Sequence, residues 1–100
     1  MSRLEPHVRK EQILEAAVGI AAEAGLYTIR REDVALKAEV ACGLVNRYFG
    51  TMNQLRRAVM RHAISNRNLS IIAEGIARRD PQAMKAPDDL RREAINSLVG

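Results

Sequence analysis

Ile29-Arg30-Arg31-Glu32-Asp33-Val34-Ala35-Leu36-Lys37-Ala38, followed by Glu39-Val40-Ala41-Cys42-Gly43-Leu44-Val45-Asn46-Arg47-Tyr48-Phe49-Gly50, is the stretch on which the fold turns. Residues 29–38 read as a short helix. Val34, Ala35 and Ala38 fall on one inward face, Thr28 is placed to cap it, and Glu32 and Asp33 suit the positive end of its dipole. After a break at Glu39-Val40, residues 41–48 read as another short helix with Val45 and Phe49 four apart on its inner side. Gly50 stops it. Two short helices joined by a tight turn make a helix-turn-helix unit when longer helices brace them.

The second short helix carries the functional reading. An element that enters a major groove about 12 Å wide must be slim and free of acids and bulky apolar groups on its outer face. Here that face offers Cys42, Gly43, Asn46, Arg47 and Tyr48, with Leu44 beside them. Gly43 permits close backbone approach. Asn46 can bridge to adenine or phosphate, and Arg47 can pair with guanine or phosphate. Tyr48 and Thr51 are hydroxyl donors suited to phosphates, and Asn53 and Arg56 extend the candidate contacts into the next helix. Arg30 and Arg31 oppose the dipole of the helix they begin, so a phosphate clamp accounts for them better than a structural role.

Outward from this unit, no segment alternates with the period of a strand, and the regular elements all read as helices. Residues 8–24 carry Ile13, Leu14, Ala17, Ile20, Ala21 and Ala24 in one stripe, with Pro6 ahead of the helix and Gly25 placed as a left-handed cap. Thr51-Met52-Asn53-Gln54 has capping-box spacing and opens a long helix reaching about residue 77, marked by Leu55, Val59, Ala63, Leu69, Ile72 and Ile76. Gly75 near its end signals fraying or close packing. Residues 78–87 read as a hinge or linker in which Asp80-Pro81 resembles a cap and first-turn proline, and Pro87-Asp88-Asp89 opens a final helix with Leu90, Ala94, Ile95 and Leu98. The expected fold is therefore all-α: a homeodomain-like helix-turn-helix bundle with one or two extra C-terminal helices. Residues 1–60 form the head and 61–100 a short helical dimerisation tail.

Composition narrows the function. The 100 residues contain 47% apolar and 3% aromatic side chains, so the core is built from aliphatics. A single cysteine permits no internal disulfide, and no apolar run suggests a membrane span or a secretion signal, which points to the cytoplasm. The net charge of +4 is unevenly spread: no Asp or Glu occurs between Glu39 and Glu74, a span that holds Arg47, Arg56, Arg57, Arg61 and Arg67. Such a one-sign field favours nucleic acid through counterion release. Cys42 at a helix start offers two readings, a redox switch and a small residue that simply fits, of which the second is the plainer. His7 and His62 have no metal-ligand spacing and no accompanying nucleophile, so no cofactor, metal or enzymatic activity is expected.

Together, Ile13-Leu14-Glu15-Ala16-Ala17, Gly25, Val34-Ala35, the run from Ala38 to Phe49 and then Leu55 resemble the N-terminal signature of the TetR family of bacterial repressors. The resemblance covers about residues 9–60. It implies a DNA-reading head and repression by occupying promoter DNA. Departures are specific. Glu39 stands where a turn glycine is usual, so the turn must do without glycine's easy positive φ. Ala41 replaces a capping Ser, Asn46 replaces a phosphate-binding Tyr, and Met52 replaces a frequent phosphate-binding Lys. About forty residues follow the match, fewer than the family's ligand-binding domain needs, so the expected chain lacks a small-molecule sensor. That shorter plan is similar to small plasmid-borne repressors of the KorC type.

The expectation is a homodimeric repressor that reads an inverted-repeat operator in double-stranded DNA, with another repressor protein as a further partner and no membrane association. Leu69, Ile72, Ile76, Leu90, Ile95 and Leu98 are the expected dimer interface. Two rivals use the same residues differently: a non-specific architectural DNA binder, and a helical protein-interaction module needing no DNA.

Overall fold

The computed structural model describes residues 5–99, and among them every regular element is a helix. In chain order these are α1 (Pro6–Ala24), α2 (Arg31–Ala38), α3 (Cys42–Phe49), α4 (Met52–Ser65), α5 (Leu69–Ala77), α6 (Pro81–Met84) and α7 (Asp88–Val99). The all-α, helix-turn-helix expectation holds. α2 and α3 pack on each other, α2 lies on α1, and α4 braces both α1 and α3. α5 continues the body from α4, and α7 lies along α5. The Cα radius of gyration is 14.0 Å, above the ~13 Å of a compact chain of this size. The 47 × 22 × 22 Å extents explain the excess: the helices build a rod.

One aliphatic core runs the length of that rod. Ile13, Ala17 and Ala21 of α1 meet Val34 and Ala35 of α2, Val45 and Phe49 of α3, and Leu55, Val59, Met60 and Ala63 of α4. The same cluster continues through Ile71, Ile72 and Ala73 of α5 to Ala83, Ala86, Leu90 and Ala94. With so few aromatic rings, close approach of small side chains replaces bulk. Gly75 shows this directly, because a Cβ there would stand 2.6 Å from the Ala83 methyl carbon. The packing alternative for Gly75 is the one realised.

The single long helix expected to run to residue 77 is two helices. Ser65 ends α4, and Asn66-Arg67-Asn68 turns the chain. Arg67 takes φ 54, the Asn68 N–H reaches the Ala63 carbonyl at 2.8 Å, and the Asn68 side chain then caps α5 by accepting from the Ile71 N–H. The i+3/i+4 stripe survives the break because Leu69 and Ile72 re-enter the core side, which is why periodicity alone did not show it. The expected linker at 78–87 is likewise folded. Asp80 caps α6, its Oδ1 accepting from the Gln82 N–H at 2.8 Å, and Ala83 and Ala86 are buried. Thr28 does not cap α2. Its hydroxyl turns back to the Ala24 carbonyl at 3.0 Å, and Arg30 stands at the α2 N-cap with no side-chain cap bond. Gly25 ends α1 at φ 103, ψ 142, a conformation for glycine outside the left-handed helical well expected.

Two long-range contacts fasten the α1–α2 loop to the far half of the chain. The Leu26 N–H donates to Glu74 Oε1 at 2.8 Å, and the Tyr27 hydroxyl donates to Asp80 Oδ2 at 2.5 Å. Burial, with the Asp80 carboxylate facing it, pushes the Tyr27 phenol well above its ordinary pKa and keeps it a donor. Replacing Gly75 by Ala should destabilise the fold by about 1–3 kcal/mol, since the added methyl meets Ala83 as well as the more pliant Met60. A lowered urea midpoint with an unchanged m-value is the expected readout.

Candidate nucleic-acid interface

An eight-residue helix has little stability of its own, so α3 depends on what it buries. Val45 and Phe49 enter the core, and Leu44 and Tyr48 lie half-buried at its margin. That fixes the roll of the helix. Residues 42, 43, 46 and 47 then share the opposite face, and Cys42, Gly43, Asn46 and Arg47 are all exposed. A Cβ at Gly43 would meet no atom within 4 Å, so the backbone there is open to close approach. Among the described residues, Arg47 has neither an ion pair nor a side-chain hydrogen bond.

The turn before α3 is sharper than its sequence suggested. Glu39 adopts φ 60, ψ 44, the left-handed conformation that a glycine would take at less cost. The Glu39 N–H bonds the Leu36 carbonyl at 3.2 Å and the Val40 N–H the Ala35 carbonyl at 2.9 Å, closing the end of α2. The turn therefore keeps a positive φ without its glycine. Ala41 follows as the α3 N-cap with no side-chain bond to the first turn, as its methyl side chain requires.

Beyond α3, Gly50 reverses the chain at φ 76, ψ −128. The capping box is formed as expected: Thr51 Oγ1 accepts from the Gln54 N–H at 3.2 Å, and Gln54 Oε1 accepts from the Thr51 N–H at 2.8 Å. Thr51 is exposed, and its hydroxyl hydrogen is still available to a phosphate. Asn53 is exposed, and its Oδ1 accepts from Arg56 at 3.0 Å, which holds the half-buried guanidinium beside the first turn of α4. Met52 is half-buried against the core, so the residue at the family's lysine position serves packing. At α2, Arg30 is exposed but pairs with Asp33 at 3.5 Å, which supplies the structural role the sequence seemed to deny it. Arg31 is half-buried, and its Nε has no partner among the described residues.

Two basic grooves, each of about 550 Å³, adjoin the start of α4. One lies between Lys10 of α1, Tyr48 of α3 and Arg57, Arg61 and His62 of α4. Lys10 sits 5.4 Å from the centre of the Phe49 ring. The other brings Arg56 and Arg57 to Arg78 and Arg79 of the α5–α6 turn. Lys10, Arg78 and Arg79 escaped the reading of the sequence because their proximity to α4 arises from packing across distant segments. The Arg78-Arg79 doublet was the one local signal available.

No family model matches the chain. The HTH-type transcriptional regulator BetI of Burkholderia ambifaria is 31% identical over 77 residues, covering 76% of this chain and 40% of that protein. The protein of the same name from Vibrio parahaemolyticus is 28% identical over 94 residues, covering 94% of this chain and 43% of that protein. These regulators belong to the TetR family. The likenesses support a TetR-like DNA-binding domain. The chain spans about 40% of the length of these relatives. The outward residues of α3 lie exposed beside the exposed Thr51 and Asn53 at the start of α4.

An Ala41→Ser replacement should raise stability by about 1 kcal/mol by supplying the missing N-cap of α3. The check is the thermal midpoint, with circular dichroism unchanged at room temperature.

Proposed function

We propose that the protein is a sequence-specific DNA-binding transcriptional repressor acting as a homodimer on an inverted-repeat operator. The outward face of α3 carries the reading: Cys42, Gly43, Asn46 and Arg47 lie together and exposed on a helix whose other side is anchored by Val45 and Phe49. Leu44 and Tyr48 flank the readers, and Thr51, Asn53 and Arg56 supply contacts to the phosphate backbone, with Arg31 and Arg30 at the start of α2. The relatives named as transcriptional regulators favour the same role. Repression then follows from occupancy of promoter DNA.

Residues 1–60 act as the reading head and 61–100 as the pairing segment. A single head reads only a few base pairs, and two related by a two-fold axis read half-sites about one helical turn, ~34 Å, apart. The exposed apolar side chains of the C-terminal half support the pairing: Ile95 is 44% exposed and Leu98 67%, three residues apart on α7, with Met84 at 44%. Ile76 and Leu69 lie half-buried, while Ile72 and Leu90 are inside the chain's own core. The pairing surface is therefore Ile95, Leu98 and Met84, edged by Ile76, and Ile72 and Leu90 support it from beneath.

Arg47→Ala should weaken binding to a duplex selected from a random pool by about 1–3 kcal/mol and relax preference at one base position. Gel shifts at fixed salt measure this, and unchanged affinity removes Arg47 from the readers. Equal affinity of the unaltered protein for selected and random duplexes would favour the architectural alternative. Ile95→Glu combined with Leu98→Glu should give a monomer that stays folded, because both side chains face solvent. Sedimentation equilibrium distinguishes this from a dimer that persists.

A further inference from the structure

We propose that contact with the DNA backbone extends beyond the helix-turn-helix unit onto the α5–α6 turn, where Arg78 and Arg79 hold phosphates adjoining those reached from Asn53 and Arg56. The inference rests on the DNA-binding reading above and adds residues that the TetR resemblance does not supply. One groove joins the two regions: Asn53, Arg56 and Arg57 of α4 line it together with Arg78, Arg79 and Asp80. Four guanidinium groups thus face one carboxylate. That carboxylate is already engaged, its Oδ2 accepting from Tyr27 and its Oδ1 from the Gln82 N–H.

Both arginines are exposed, and neither has an ion pair among the described residues. Arg78 is held in place by stacking, with its guanidinium carbon 4.7 Å from the centre of the Tyr27 ring. Arg79 sits at φ 57 in the left-handed turn that ends α5, where the Arg79 N–H bonds the Ile76 carbonyl at 3.0 Å and the Asp80 N–H the Gly75 carbonyl at 2.8 Å. Glycine or asparagine is the ordinary occupant of that position. An arginine placed there against its backbone preference, unpaired, next to a pre-oriented second arginine and continuous with the expected DNA face, suits a polyanion whose charges recur along its length. Duplex DNA has that property, with one phosphate per ~1.7 Å of axis.

Arg79→Gly provides a clean test, since glycine accepts the same turn and only the charge is lost. Binding of the unaltered protein, Arg79→Gly and the Arg78→Gln/Arg79→Gly pair is measured on a selected and on a random-sequence duplex across a salt series, with thermal melts confirming the fold. Because both protomers of the proposed dimer carry the change, the slope of log affinity against log salt should become shallower by about 1.8 for Arg79→Gly and about 3.6 for the pair. The weakening should be equal on both duplexes, so sequence preference is retained. Slopes matching the unaltered protein, while Arg47→Ala still weakens binding, overturn this inference alone. An unaltered protein that binds neither duplex overturns it together with the DNA-binding reading.

Discussion

The anchoring of α3 by Val45 and Phe49 is the constraint on which the rest depends. Eight residues cannot sustain a helix in water unaided, so the position and roll of α3 are set by what it buries. With those two side chains locked into the core between α1, α2 and α4, the remaining positions have no freedom of orientation. Cys42, Gly43, Asn46 and Arg47 point outward because Val45 and Phe49 point inward. The exposed face keeps polar and small residues, whose desolvation against a partner's polar edge is compensated by hydrogen bonds.

The chain ends several helices in a way that helps position this face. Glu39, Arg67 and Arg79 all adopt positive φ at the close of α2, α4 and α5, where glycine is the easier occupant. Each closes its helix with two backbone bonds to the preceding turn and redirects the chain sharply. At Glu39 the redirection sets α3 against α2. At Arg67 it folds α5 back from α4, and at Arg79 it delivers Asp80 to Tyr27. The conformational cost of each, about 1–2 kcal/mol, is met by the burial that the turn permits.

The helix-turn-helix unit is not an independent bead on a string. Glu74 holds the Leu26 N–H and Asp80 holds the Tyr27 hydroxyl, so the loop between α1 and α2 is tied to α5 and to the start of α6. These carboxylates lie just past the acid-free span from 40 to 73 and turn toward the loop. The basic groove on that side therefore keeps an excess of positive charge despite Asp80, and the arginines of α4 are flanked by cations from two other segments, Lys10 of α1 and Arg78-Arg79 of the α5–α6 turn.

Much of this was legible in the order of the residues. The stripes of α1 and α2, the Val45–Phe49 anchor, Gly50 and the Thr51–Gln54 box are local patterns, and each is determined within a few residues by helix periodicity or capping chemistry. Cys42, Gly43, Asn46 and Arg47 of the outward set on α3 followed from the same periodicity, whereas Tyr48, read as outward, is half-buried against the core beside Phe49. Other features lay beyond it. The break at Asn66-Arg67-Asn68 leaves the apolar spacing intact, so only three-dimensional packing reveals it. Residues 78–87 look like a linker because Arg, Asp, Pro, Gln and Lys make up seven of the ten, yet Ala83 and Ala86 are small enough to seat against Gly75 and its neighbours. Which apolar residues remain on the surface was also a tertiary decision: Leu90 and Ile95 occupy the same helix, but α5 covers only one of them. The sequence by itself determined an aliphatic helical chain with a short, outward-facing helix between two turns, since those properties need only neighbours along the chain. The tertiary structure alone decided which distant arginines stand beside that helix, because their proximity is created by contacts between segments far apart in sequence.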